Sequence, residues 1–288
     1  MQAGISDNMS ELNKKGSPDE LGRSSRADGT SDDWQLLEHL PYELNPGIGH
    51  AAKIGMLVLS SDYTIDYEFR QVFVDESIGI YQTRIENSPE VTPQTLAAME
   101  QKIPAALKTI LPGESLDVVA YGCTSASTVL GEQVVFDRIA EVQPRAKTTT
   151  PITAAFAAFK ALSAKRIAVL TPYRSDVNQV LRQYIVNAGF EVPVFGSFNQ
   201  PQDPLVARID VASLKNAIER LVNGGNVDLV FVSCTSIRLL EEVKAIESKI
   251  GLPVTTSNHA MAWHCLRLAG AENRLPHLGS LFEKPLLD

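Results

Sequence analysis

The chain has 288 residues, 44% of them hydrophobic and 21% charged, with a formal net charge of −8. That balance predicts a globular core. It excludes a nucleic-acid surface, which needs clustered Lys and Arg, and supplies no basic face for an anionic membrane. No apolar run approaches the ~20 residues of a membrane helix, and Met1–Asp33 lacks the apolar segment of a secretory leader. The expectation is a cytoplasmic protein with no membrane or nucleic-acid partner. Three cysteines, Cys123, Cys234 and Cys265, are too few and odd in number for a disulfide scaffold, and read as thiols.

Residues 1–50 read as an N-terminal tail. Its first 33 residues are too polar to offset their ordering entropy and are expected to be disordered. Trp34, Leu36 and Leu37 are the residues in it apolar enough to dock elsewhere. Gly47-Ile48-Gly49-His50-Ala51-Ala52 has a dinucleotide-like spacing, but it precedes a strand instead of following one. From Lys53 onward, short apolar strands are predicted at Ile54–Leu59, Ile78–Ile85, Asp117–Tyr121, Ile167–Leu170, Val192–Phe195, Asp228–Val232 and Pro253–Thr255. Strands without clean alternation are those of a parallel sheet covered on both faces. Helices are predicted between them: Thr92–Ile110 with a kink at Pro104, Ser125–Glu141, Ser175–Ala188, Asp203–Val222 and Ile237–Ile250, and a last one carries Ala260–Leu268. The alternation predicts an α/β fold with mainly parallel sheets flanked by helices.

The chain repeats itself. Leu116-Asp117-Val118-Val119-Ala120-Tyr121-Gly122-Cys123-Thr124-Ser125 returns 111 residues later as Val227-Asp228-Leu229-Val230-Phe231-Val232-Ser233-Cys234-Thr235-Ser236. Val58-Leu59-Ser60 matches Val169-Leu170-Thr171 at the same offset, and Thr149-Thr150 is echoed by Thr255-Thr256 at 106. Two pseudo-symmetric halves follow, 51–161 and 162–288, with the closing helices free to pack on the opposite half. Each Cys-Thr-Ser is expected where a strand ends and a helix begins. Ligands of parallel sheets bind at that end, and helix-start amides favour a carboxylate or a thiolate. Facing halves would place one thiol on each side of a small ligand in the cleft between them.

These motifs resemble the aspartate/glutamate racemase superfamily. The loops Ser60-Ser61-Asp62-Tyr63-Thr64, Thr171-Pro172-Tyr173 and Thr256-Ser257-Asn258-His259-Ala260 narrow the resemblance to its maleate isomerase and arylmalonate decarboxylase branch, nearest to the ectoine-utilisation members. The match covers about 53–270. It implies a cofactor-free enzyme in which Cys123 and Cys234 act as a catalytic pair. Ser60, Ser61, Thr124, Ser125, Thr235, Ser236 and Asn258 would surround a small carboxylate, and Tyr173 would hydrogen-bond it. Decarboxylase members keep only the second cysteine, so the pair favours racemisation or isomerisation.

Where maleate isomerases typically carry Asn, this chain has Asp62 and Asp203. Carboxylates repel a dicarboxylate and suit a nitrogen cation, which points to a substrate carrying both a carboxylate and an amino or amidine group. One alternative is a maleate cis–trans isomerase in which Cys123 adds to the double bond and Cys234 protonates the neighbouring carbon. Another is a non-catalytic two-lobed binder of a small acid. Plainer roles stand beside these: Cys265 as core, Asp62 and Asp203 as helix caps, Tyr173 as an ordinary loop residue. His259 and His264 do not share a helix face, so no metal site is expected. A homo-oligomer is left open.

Overall fold

Strands rich in Val, Ile and Leu, with almost no exposed face, assemble here into two parallel sheets. The computed structural model describes residues 35–88, 90 and 92–287; the expected disordered stretch 1–33 and Trp34 lie outside them. β1 (Ala52–Leu59), β2 (Ile78–Ile85), β3 (Val118–Gly122) and β4 (Lys147–Thr149) pair in the order β2-β1-β3-β4. β5 (Arg166–Thr171), β6 (Glu191–Ser197), β7 (Leu229–Val232) and β8 (Val254–Thr256) pair as β6-β5-β7-β8. Every pairing between these strands is parallel, and one isolated antiparallel bridge joins Glu90 to Gln202. The repeat is visible in side-chain detail. Asp117 Oδ2 accepts from Lys53 N at 2.8 Å at the start of β1, and Asp228 Oδ2 accepts from Arg166 N at 2.8 Å at the start of β5.

The two central strands of the first sheet, β1 and β3, divide their residues between two cores, as the period of two requires. Ile54, Met56 and Val58 of β1 and Val118 and Ala120 of β3 face one. Leu57, Leu59, Val119 and Tyr121 face the other, against Leu96, Ile103 and Leu107. The first of these cores is completed from the far end of the chain, by Met261, Trp263 and Cys265 of the helix Ser257–Leu268 and by Leu278, Leu281 and Phe282. The second sheet has its own core, in which Phe159 of the helix Pro151–Ala161 lies edge-on to Phe231.

Several helices differ from expectation. Thr92–Ile110 is three short pieces, Pro93–Ala97, Glu100–Lys102 and Ile103–Leu107, and Pro104 opens the last one instead of kinking a long helix. Ser125–Glu141 is broken at Gly131, whose φ of +85° no helix permits, into Thr124–Leu130 and Glu132–Ala140. Asp203–Val222 is Asp203–Val206 followed by Val211–Asn223. Ile237–Ile250 begins only at the 3-10 turn Leu240–Glu242, before Val243–Ile250. Leu36 and Leu37 are exposed, at 60% and 61%. Among the described residues no helix is long and apolar enough to cross a membrane.

Candidate active site

In a sheet ordered 2-1-3-4 the connections leave the first and third strands in opposite directions, opening a crevice at their carboxyl ends. Both sheets present that end to one narrow pocket, in which the space open to a water-sized molecule is about 20 Å³. Cys123, Thr124 and Ser125 line it from the end of β3, Cys234 and Thr235 from the end of β7, Tyr173 from the end of β5, and Asp203 from its short helix. Leu96 and Met99 close an apolar side, and Asn87 and Glu90 stand at the rim region after β2. None of the lining residues is basic.

The two thiols are held differently. Cys123 caps the helix Thr124–Leu130 with an extended backbone (φ −147°), and its Sγ accepts from Ala126 N at 3.4 Å and lies 3.6 Å from Ser125 Oγ. Cys234 has φ +146°, a region side chains rarely enter. No helix follows it: residues 233–239 form an irregular loop. The expectation of a helix start at both cysteines therefore holds only for Cys123. The expectation of a thiol made acidic by its position is also corrected. Burial pushes Cys123 up to about 12 and Cys234 well above the ordinary thiol value. Asp203 and Asp62 push both further in the same direction. The Ala126 amide opposes this at Cys123, and the Ser236 amide and the Tyr173 hydroxyl oppose it at Cys234. These donors do not outweigh desolvation.

The remaining expected site residues fall into two layers. Thr124, Ser125, Tyr173, Asp203 and Thr235 are on the pocket wall; Ser60, Ser61, Asp62, Ser236 and Asn258 are not. Ser61 and Ser236 lie behind Asp203, donating to its Oδ2 and Oδ1 at 2.6 Å each. Ser60 donates to Asn87 Oδ1 at 2.9 Å. Asp62 stands two residues before Thr64, the N-cap of the helix Ile65–Val72, and its Oδ1 accepts from Thr64 N at 2.7 Å and Ile65 N at 2.9 Å. Its buried Oδ2 has no hydrogen-bond partner of ordinary geometry among the described residues, although the Thr235 hydroxyl stabilises the carboxylate from nearby. Burial raises both Asp62 and Asp203 above the usual carboxylate range. Asn258 points away from the pocket. Its Nδ2 donates to Glu68 Oε2 and to Thr235 O, each at 2.7 Å.

Sequence reasoning missed three residues. Asn87 holds Ser60 and Ser61, its Nδ2 donating to Ser61 Oγ at 2.8 Å. Glu68 is fully buried, and its Oε1 accepts from Leu239 N and Leu240 N at 2.7 Å each. Ser257 Oγ lies 2.7 Å from Thr124 Oγ1 and accepts from Cys234 N at 3.0 Å. An acidic residue three positions into an otherwise apolar helix face was the one available signal for Glu68. Cys265 is wholly buried in the core of the first sheet, as the plainer reading of it expected.

A profile described as arylmalonate decarboxylase matches residues 85–282. The chain is 28% identical over 243 residues to a maleate isomerase of Pseudomonas putida, covering 80% of this chain and 96% of that one. It is 29% identical over 138 residues to an arylmalonate decarboxylase of Bordetella bronchiseptica, covering 47% of this chain and 58% of the relative. Among solved structures, the maleate isomerase Iso from Pseudomonas putida S16 superposes with a TM-score of 0.74 at 24% identity, over 81% of this chain and 98% of that one. An unliganded arylmalonate decarboxylase gives 0.68 at 24%, over 81% and 99%. At these identities the structural likeness is one of fold.

Proposed function

Because the chain belongs to the arylmalonate decarboxylase family, we propose that it is a two-cysteine isomerase that racemises or epimerises a small carboxylate, with Cys123 and Cys234 on opposite sides of the reacting carbon. The division into halves 51–161 and 162–288 belongs to the same proposal, each half bringing one thiol. In this scheme one thiolate takes the proton of an acidic C–H, leaving the electron pair on carbon. The opposite thiol then delivers a proton to the other face and is left as the thiolate. Thr124, Ser125 and Thr235 offer hydroxyls to the carboxylate, and Tyr173 steadies Cys234. The scheme calls on no cofactor.

The observation that carries the substrate reading is the charge of the pocket. Asp203 lines it, Asp62 lies behind it, no lining residue is basic, and both thiols are pushed up. A dicarboxylate would push them higher still. A substrate bearing an amino or amidine cation would neutralise Asp203 and allow one thiol to ionise on binding. An α-amino or amidine acid, as in the breakdown of ectoine-like compounds, fits that requirement. The test is turnover in D₂O with a panel of such acids and with maleate. The expected result is solvent deuterium at the stereocentre of a cationic acid, and a lower rate with Asp203→Asn.

The names of the sequence relatives favour a second reading, cis–trans isomerisation of maleate through a covalent Cys123 adduct. Here the Cys123 sulfur bonds to one alkene carbon while Cys234 gives its proton to the other, and elimination after rotation restores both. Saturable conversion of maleate to fumarate, with no exchange into any amino-bearing acid, would replace the first reading by this one.

A further inference from the structure

The two halves repeat in sequence, yet they hold their cysteines by different means. Thr149-Thr150-Pro151 in the first half corresponds to Thr255-Thr256-Ser257 in the second. Pro151 has no hydroxyl, and Cys123 N bonds within its own loop, to Tyr121 O at 3.0 Å. Cys234 N instead donates to the Ser257 hydroxyl at 3.0 Å. The same oxygen is 2.7 Å from Thr124 Oγ1, on the residue that follows Cys123. One fully buried hydroxyl thus touches both thiol-bearing loops. Its neighbour Asn258 ties Thr235 O to Glu68, which in turn takes the amides of Leu239 and Leu240.

These contacts matter because the Cys234 backbone is not supported by a helix and sits at φ +146°. A residue in such a conformation persists only where its surroundings over-determine it. A buried amide left without an acceptor costs far more than an ordinary hydrogen bond gains. We propose that Ser257 is a positioning residue: its hydroxyl holds the Cys234 loop in its strained conformation and fixes that loop against the Cys123 loop, with Asn258 and Glu68 as the backing anchor. The proposal rests on Cys234 being one of the two reacting thiols, but its test reads the loop itself and needs no substrate.

The experiment is peptide-resolved alkylation by iodoacetamide at pH 8, following Cys123, Cys234 and Cys265 separately in the unmodified chain, Ser257→Ala and Ser257→Thr. Loss of the hydroxyl is expected to speed alkylation of Cys234 at least fivefold relative to Cys265, and Ser257→Thr, which keeps the hydroxyl, to return it to within twofold of the unmodified chain. An unchanged Cys234 rate in Ser257→Ala, or an equal rise at all three cysteines, overturns the proposal. Should Ser257→Ala fail to fold, amide hydrogen exchange on the unmodified chain decides. The Cys234 amide should exchange as slowly as those of Leu229–Val232, and exchange as fast as an exposed loop amide overturns the assignment.

Discussion

Glycine should be a better replacement than alanine for Cys234, and a worse one for Cys123. The two cysteines occupy repeated sequence but different backbone regions, φ +146° against φ −147°. At Cys123 the extended backbone suits any residue. There glycine should be the less stable variant by about 0.5–1 kcal/mol, the entropy its unfolded chain loses on folding. At Cys234 alanine keeps the Cβ that makes the conformation unfavourable, an expense of about 1–3 kcal/mol that glycine escapes. After its entropic disadvantage, glycine should come out ahead there by up to about 2.5 kcal/mol. The glycine-minus-alanine difference at 234 less that at 123 leaves the backbone strain alone, since each comparison removes one methyl from a buried site. Urea denaturation of the four variants at one pH, with the slopes checked for equality, gives this quantity directly. If alanine is the more stable residue at both positions by the same margin, Cys234 carries no strain and the reasoning fails.

Three further outcomes are expected. Cys123→Ala and Cys234→Ala should each lower turnover by at least ~10²-fold, the lower end of what loss of a general acid or base produces, whereas Cys265→Ala should leave it unchanged in a steady-state assay. The contribution of Glu68 to stability should fall as pH rises from 4.5 to 7, against the opposite contribution of His259 and His264, which burial lowers to about 4 in the folded chain. Glu68 keeps its proton in the folded chain up to about 7 against an ordinary 4.5, mainly through burial. The native state therefore binds the extra proton between those values, and its advantage, about 3 kcal/mol for a shift of that size, is full below 4.5 and lost above 7. Between pH 5 and pH 8 the unmodified chain should lose about 3 kcal/mol relative to Glu68→Gln, read from urea denaturation of both; an equal pH dependence in the two chains would show that Glu68 does not contribute. Asp203→Asn should weaken binding of a cationic acid and strengthen that of maleate, read from ligand-induced shifts in melting temperature, with an unchanged preference counting against Asp203 as the selector.

Seven of the eight strands are legible as apolar runs, and β2 falls within its expected limits, because burial on both faces writes itself into composition. β4, only Lys147–Thr149, is too short and too polar to announce itself. The long helical patterns misled because hydrophobic periodicity does not register a single positive-φ glycine such as Gly131, nor turns stabilised by distant contacts. The loop after Cys234 shows the same limit. Its repeat partner opens a helix, but Glu68 captures Leu239 N and Leu240 N, so the chain continues as an irregular loop and turns only at Leu240. The thiols and Thr124, Ser125 and Thr235 beside them could be placed at facing strand ends from the repeat, whereas Tyr173 and Asp203 are legible only through the family resemblance. The inward or outward direction of Asn258 could not, since it depends on a carboxylate 190 positions away. Nor could the thiols' raised proton affinity, which follows from depth of burial and from the carboxylates of Asp203 and Asp62.

The first sheet's core, finished only by Met261, Trp263, Leu281 and Phe282, sets a timetable for synthesis. β1 to β4 leave the ribosome complete, and Ile65, Phe69, Val72, Ala154 and Ala158 cover part of the apolar face formed by Ile54, Met56, Val58, Val118 and Ala120, but the rest of its cover lies roughly 100 residues further on. At ordinary elongation rates that is on the order of 5–20 s. During that interval a nascent chain presents an incompletely covered sheet face, so a stalled or prematurely released product ending before Ser257 is a form of this protein exposed to aggregation and to capture by chaperones. The same dependence means that the two sheets cannot be inherited, swapped or expressed as separate pieces at the point where the sequence repeat divides, unless the closing helix travels with the first.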